Sequence, residues 1–122
     1  MSMDIRRARK IVESIFSLGS EIRYAEIFNN RAVSIAGGMK PGVKSIDPAR
    51  TAAKVDVETA RYALLLIRRR KYYGAMQYMY VRLEKVNVLV LPFDNGVLVI
   101  TLNPSKGLEL LEDIRQKISQ YY

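Results

Sequence analysis

The residues best able to do chemistry in this chain lie in one run, Arg68-Arg69-Arg70-Lys71-Tyr72-Tyr73. Four cations neutralise phosphates, and the two rings that follow stack on unpaired bases, which makes the run a candidate anion or nucleic-acid site. Arg6, Arg7, Arg9 and Lys10 form a second basic group that would extend it if both groups share a face. The plainer reading is a helix C-terminus, where cations complement the macrodipole by ~0.3–1 kcal/mol each. Two cations would serve that purpose. Four in a row point around the whole helix.

Other chemistry is thin. Gly37 to Gly42 has the glycine spacing of a phosphate-cradling loop, but Val43 intervenes before Lys44-Ser45. That single insertion displaces both the ammonium and the hydroxyl from the phosphates and metal they would reach. Glu109, Glu112 and Asp113 fall on the polar side of the last helical segment and read as a solvated face. Glu26, among apolar strand residues, is expected to pair across strands with Arg23, Arg31 or another basic residue. The chain has no Cys and no His, which removes thiolate chemistry, disulfides, the commonest general base and the commonest transition-metal ligand. No nucleophile with an oriented base is visible, so no enzymatic activity, metal or cofactor is expected.

With 122 residues there is room for one domain, spanning 1–122, and one core. A hydrophobic fraction of 49% belongs to a folded globular chain rather than a disordered one. No apolar run approaches the ~18–20 residues of a membrane-spanning helix. The first residues lack the apolar stretch of a secretory leader, so a cytoplasmic home is the default expectation. The absence of Cys fits that home, and equally a hot or oxidising habitat. Net charge is +8, and residues 40–71 hold nine cations against three acids. Such a localised positive field favours anionic partners: nucleic acid, a membrane surface or an acidic protein patch.

The periodicity supplies the frame. Ile5, Ala8, Ile11, Val12, Ile15 and Phe16 recur at helical spacing, which predicts a helix over Asp4–Leu18 stopped by Gly19. Ile22–Phe28 is a strand by its β-branched and aromatic content, and Asn29-Asn30-Arg31 turns it into a shorter strand at about Ala32–Ala36. Gly37–Ile46 reads as a loop. Asp47-Pro48 opens a long helix to about Arg70, with Ala52, Val55, Thr59, Ala63 and Leu66 on one face. Tyr62–Ile67 is apolar almost all round, more than one sheet can cover, and a second subunit is the simplest cover. Three strands follow at Ala75–Lys85, Val86–Phe93 and Val97–Leu102, the last two joined by an Asp94-Asn95-Gly96 hairpin. A closing helix opens at Pro104-Ser105 and stacks Leu108, Leu111, Ile114, Ile118 and Tyr121 on one side.

The expected fold is α/β in the α+β sense: one five-stranded antiparallel sheet flanked by helices, in the order α-β-β-α-β-β-β-α. That order, at this length, resembles the roadblock (dynein light chain) family within the profilin-like folds. Ile22-Arg23-Tyr24-Ala25, Gly37-Gly38 followed by Gly42-Val43, Lys71–Tyr78, Lys85-Val86-Asn87 and Pro92-Phe93 are similar to an archaeal group of roadblock-like proteins of unknown function. The likeness covers roughly residues 11–118.

The resemblance implies a non-catalytic scaffold or regulator that pairs its long helix and third strand across a two-fold axis. It also implies protein partners, small GTPases among them. Tyr62, Leu65, Leu66, Ile67, Met79 and Val81 fall where that homodimer contact would lie. Arg68–Lys71 departs from the pattern, because like charges stacked near a two-fold repel. Nucleic-acid binding through the basic patch is the alternative.

Overall fold

The structure, a computed structural model, describes residues 4–44, 46 and 49–120, with side chains in the last stretch described from Asp56 onward. The proposed helix start at Asp47-Pro48, the side chains of Ala52 and Val55, and Tyr121 lie outside the described residues.

Among the described residues, four α-helices and five strands follow in the expected sequence, with one short helix added. They are α1 (Ile5–Phe16), β1 (Ile22–Phe28), β2 (Ser34–Met39), α2 (Ala49–Ile67), α3 (Arg70–Tyr73), β3 (Met79–Arg82), β4 (Asn87–Phe93), β5 (Gly96–Leu102) and α4 (Leu111–Ser119). The strands form one antiparallel sheet in the order β2-β1-β5-β4-β3. Because β2 and β3 are the two edges, α2 returns the chain from one edge to the other and crosses β5 on the way. The short hairpins force this arrangement, since each pairs neighbours antiparallel and leaves the long connection to the helix.

Both faces of the sheet are buried. On the first, Ile22, Ala25 and Ile27 of β1 meet Leu89, Leu91 and Phe93 of β4 and Leu98, Ile100 and Leu102 of β5, under α1 and α4. On the second, Tyr24, Phe28, Val90, Val97 and Val99 pack against Ala60, Ala63 and Leu64 of α2. Period-two alternation puts successive residues on opposite faces, so strands covered twice must be apolar throughout. That accounts for the unbroken runs of β4 and β5. Asp4 caps α1 by accepting from the Arg6 N–H at 2.9 Å, and Lys40 Nζ donates to the Phe16 and Gly19 carbonyls at its other end.

Several boundaries move. Gly37, Gly38 and Met39 belong to β2 rather than to a loop, with Gly37 paired to Glu26 at φ 105. A Cβ at Gly37 would sit 2.1 Å from the Ala25 carbonyl oxygen, so glycine here serves close strand approach, not flexibility. Strand β3 spans only Met79–Arg82, because the Gln77 carbonyl is taken by Arg115 of α4 and Leu83–Val86 form the turn into β4. The last α-helix begins at Leu111 instead of Pro104. The buried Asn87 donates to the Lys106 carbonyl at 2.8 Å and holds the intervening segment against β4. The core stripe of α2 is Ala60, Ala63 and Leu64 with Val57 and Ile67 beside it, while Thr59 and Leu66 are only half-buried.

A candidate docking surface on the second helix

Among the described helices, α2 is the one that packs on the second face of the sheet, with Ala32 and Met76 beside it. Successive helical residues turn by about 100°, so with Ala60, Ala63 and Leu64 inward the rest of α2 divides into two flanks. Glu58, Arg61, Leu65 and Arg68 run down the flank facing the β1–β2 turn, where Arg31 and Ala32 stand opposite them. Thr59 and Leu66, both half-buried, run down the other flank, on the β4 side of the helix. Tyr62 stands on the crest, 58% exposed.

The all-apolar stretch is therefore resolved residue by residue. Ala63 and Leu64 are core, Ile67 packs beside the core, Leu66 is half-buried, and Tyr62 and Leu65 face outward, the latter 46% exposed. Past the second flank lies β3, an edge strand paired only with β4, where Met79 is half-buried and Val81 is 40% exposed. Of the six residues expected at a dimer contact, Tyr62 and Leu66 thus lie on the outer side of α2, Met79 and Val81 on β3, and Ile67 beside the core. Leu65 lines the opposite flank.

That opposite flank holds a cleft of about 630 Å³ lined by Arg31, Ala32, Glu58, Arg61, Leu65 and Arg68, with Tyr62 and Leu64. Arg61 pairs with Glu58 at 2.9 Å, both exposed, and Arg68 Nη2 donates to the Asn30 carbonyl at 3.1 Å. The β1–β2 turn is built on Asn29. Its Oδ1 accepts from the Arg31 and Val33 N–H groups, and its carbonyl accepts from Ala32, held at φ 60. Sequence reasoning missed this cleft. Glu58, Arg61 and Arg68 were legible as one helical flank, but nothing local announces that Arg31 arrives opposite them.

The two basic groups do not combine. Arg6, Arg7, Arg9 and Lys10 lie on α1, on the first face of the sheet, whereas Arg68 and Arg69 follow α2 and Arg70 and Lys71 open α3 on the second. Arg7 sits 5.9 Å over the Phe93 ring, and Arg6 opens the capped turn of α1. The continuous surface that a shared phosphate track needs is absent from this arrangement. The run itself breaks at Arg69, whose carbonyl accepts from the Tyr72 and Tyr73 N–H groups. Tyr72 and Tyr73 do not enter the next strand; each is 75% exposed.

Glu26 is bonded differently from the expectation. Its carboxylate accepts from the Tyr24 hydroxyl and from Ser34 Oγ, while Arg23 turns to Asn103 and to the Lys44 carbonyl. Arg23 follows the β1 bulge between Ile22 and Tyr24, so its direction could not be counted from the strand period. Burial, then the hydrogen bond and charge of Glu26, with Asp56 adding to them, push the Tyr24 phenol far above its usual value of 10.0. A raised folded value means that the stabilisation is whole below pH 10 and is lost above it, as only the unfolded chain ionises. Urea unfolding at pH 9 and 11 should show about 1.4 kcal/mol more stability lost across that interval than in Tyr24→Phe. Equal slopes would mean that the hydroxyl is not held in the core. Glu109, on the exposed turn before α4, accepts from its own N–H and from Gly107, which lowers its pKa.

Among the described residues no group of three or more Asp or Glu is placed to hold a metal, and no helix is long and apolar enough to cross a membrane. No known protein-family profile matches the sequence, and no curated protein is similar enough to serve as a relative. Solved structures do match over nearly the whole chain. The gliding protein MglB from Thermus thermophilus superposes with a TM-score of 0.69 at 15% identity, covering 99% of this chain and 90% of that one. A Roadblock/LC7 domain from Streptomyces avermitilis gives 0.63 at 10% identity, over 91% and 88% of the two chains. The chain has the roadblock fold. MglC from Myxococcus xanthus shares it, with a TM-score of 0.62 at 15% identity over 94% and 96%. A further roadblock-fold structure is an MglB with a tetrameric arrangement, at 0.64 and 14% identity. At these identities the agreement is one of backbone architecture, and the side chains of the two flanks are this chain's own.

Proposed function

We infer that the protein is a non-catalytic regulatory or scaffolding module of roadblock type that works as a homodimer and binds another protein. The observation that carries this reading is the apolar crest and flank of α2, Tyr62 and Leu66, beside the open β3 edge with Val81. A helix lying on one sheet needs a single apolar stripe, and the surplus here adjoins an edge strand with unpaired backbone groups. A second copy placed across a two-fold covers both at once, with Tyr62, Leu66, Ile67, Met79 and Val81 in the contact. The tetrameric MglB arrangement supports self-association for the fold, and the roadblock resemblance makes a small GTPase the partner class of choice.

Multi-angle light scattering tests the homodimer. A mass of two chains that persists at tens of micromolar in high salt is expected, because an apolar contact resists the screening that weakens charge pairing. A single-chain mass under those conditions would overturn it.

A further inference from the structure

The cleft between α2 and the β1–β2 turn carries its charge in a particular way. Arg61 and Arg68 are two helical turns apart, a rise of about 10 Å, and Arg31 faces them from the turn. Between these cations the walls are apolar: Ala32 and Leu64 at the back, Leu65 and Tyr62 toward solvent. The N–H groups of Arg31, Ala32 and Val33 are all spent on Asn29. The turn therefore offers no cradle of backbone donors converging on one point, which a compact phosphate requires. Guanidiniums spread along an apolar trough instead match carboxylates spaced along a chain, each read by a planar fork.

We propose that this cleft docks an acidic segment of a partner protein, two carboxylate side chains about 10 Å apart with an apolar side chain between them. In the polyproline II conformation residues three apart share a face about 9 Å apart, so a Glu-Leu-X-Glu pattern meets Arg61 and Arg68 and leaves its Leu beside Leu65. Glu58 holds Arg61 in the free protein, and the incoming carboxylate displaces it. The proposal rests on the protein-binding reading above. It uses the flank of α2 away from β3 and shares Tyr62 alone with the proposed self-contact, so docking at Arg61 and Arg68 and self-association proceed together.

The test is fluorescence anisotropy of the full chain with a labelled Ser-Glu-Leu-Ser-Glu-Ser peptide, at ~50 mM salt where charge pairing is little screened. Binding should be about fivefold tighter than that of an isomer with both Glu residues adjacent, and Arg61→Gln and Arg68→Gln should each weaken it about tenfold. Glu58→Gln should tighten binding severalfold, while Lys71→Gln, outside the cleft, should leave it unchanged. Equal binding of the two peptides, or insensitivity to the Arg61 and Glu58 variants, would overturn the proposal. So would displacement of the peptide by equimolar tripolyphosphate or a thymidine oligonucleotide, which would mark a phosphate site. Light scattering of Arg61→Gln should still give two chains. A monomeric wild type that binds the spaced peptide would sink the homodimer and leave the cleft standing.

Discussion

The double substitution Leu66→Glu with Val81→Glu is expected to leave a folded monomer. Both side chains are partly exposed in the single chain, Val81 at 40%, so a carboxylate at either position stays hydrated while the chain is alone. In a two-fold contact each change appears twice, and four carboxylates would be buried against apolar surface without partners. Several kcal/mol of desolvation is about what separates a nanomolar dimer from none at micromolar concentration. The measurement is light scattering, with circular dichroism to show the fold intact. Leu65→Glu is the internal control. Leu65 lies on the cleft flank, so this variant should keep the two-chain mass and lose the acidic peptide. A two-chain mass for the double variant would place the contact elsewhere on the molecule.

Gly96→Ala should cost more than the same change at any other described glycine. Gly96 opens β5 opposite Phe93, and an added Cβ would lie 1.8 Å from the Phe28 carbonyl oxygen. Gly37→Ala also meets backbone, at 2.1 Å, but on the edge strand β2, which can yield. Strands β1 and β5 sit inside the sheet, each paired on both sides, and cannot part without breaking a neighbouring ladder. A cost of about 3 kcal/mol or more is expected, at the upper end of overpacking effects. Chemical denaturation reads it directly as a lowered midpoint with an unchanged slope. A midpoint within experimental error of wild type would mean that the β1–β5 approach is looser than the structure describes.

Much of the frame was legible because it rests on local periodicity. The α1 stripe, β1, the apolar runs of β4 and β5 and their Asp94-Asn95 connection follow from spacing that one element imposes by itself. The misread boundaries share another cause. Gly37 and Gly38 look like a loop, yet Gly37 pairs with Glu26 in β2, and it is glycine because the Ala25 carbonyl leaves no room for a side chain. Residues 75–78 alternate like a strand, but the Gln77 carbonyl is claimed by an arginine 38 residues away. Pro104-Ser105 looks like a helix start, but Asn87 holds the segment that follows. In each case a distant partner outweighed a local preference.

The same division runs through the candidate sites. Sequence alone determined that the chain has no thiol or imidazole chemistry, that its charge is strongly positive, and that α2 has more apolar surface than one sheet can cover. These are properties of composition and of a 3.6-residue period, and no fold can alter them. Tertiary structure decided which of those residues meet. It set the Arg6–Lys10 and Arg68–Lys71 groups on opposite faces of the sheet and gave Glu26 to Tyr24 and Ser34 instead of an arginine. It also carried Arg31 across from a turn to face Arg61 and Arg68. The sheet order is responsible, since β2 and β3 are joined through α2 yet lie at opposite edges. A single helix is thereby left with one flank facing the β1–β2 turn and its arginine, and the other on the β4 side of the sheet.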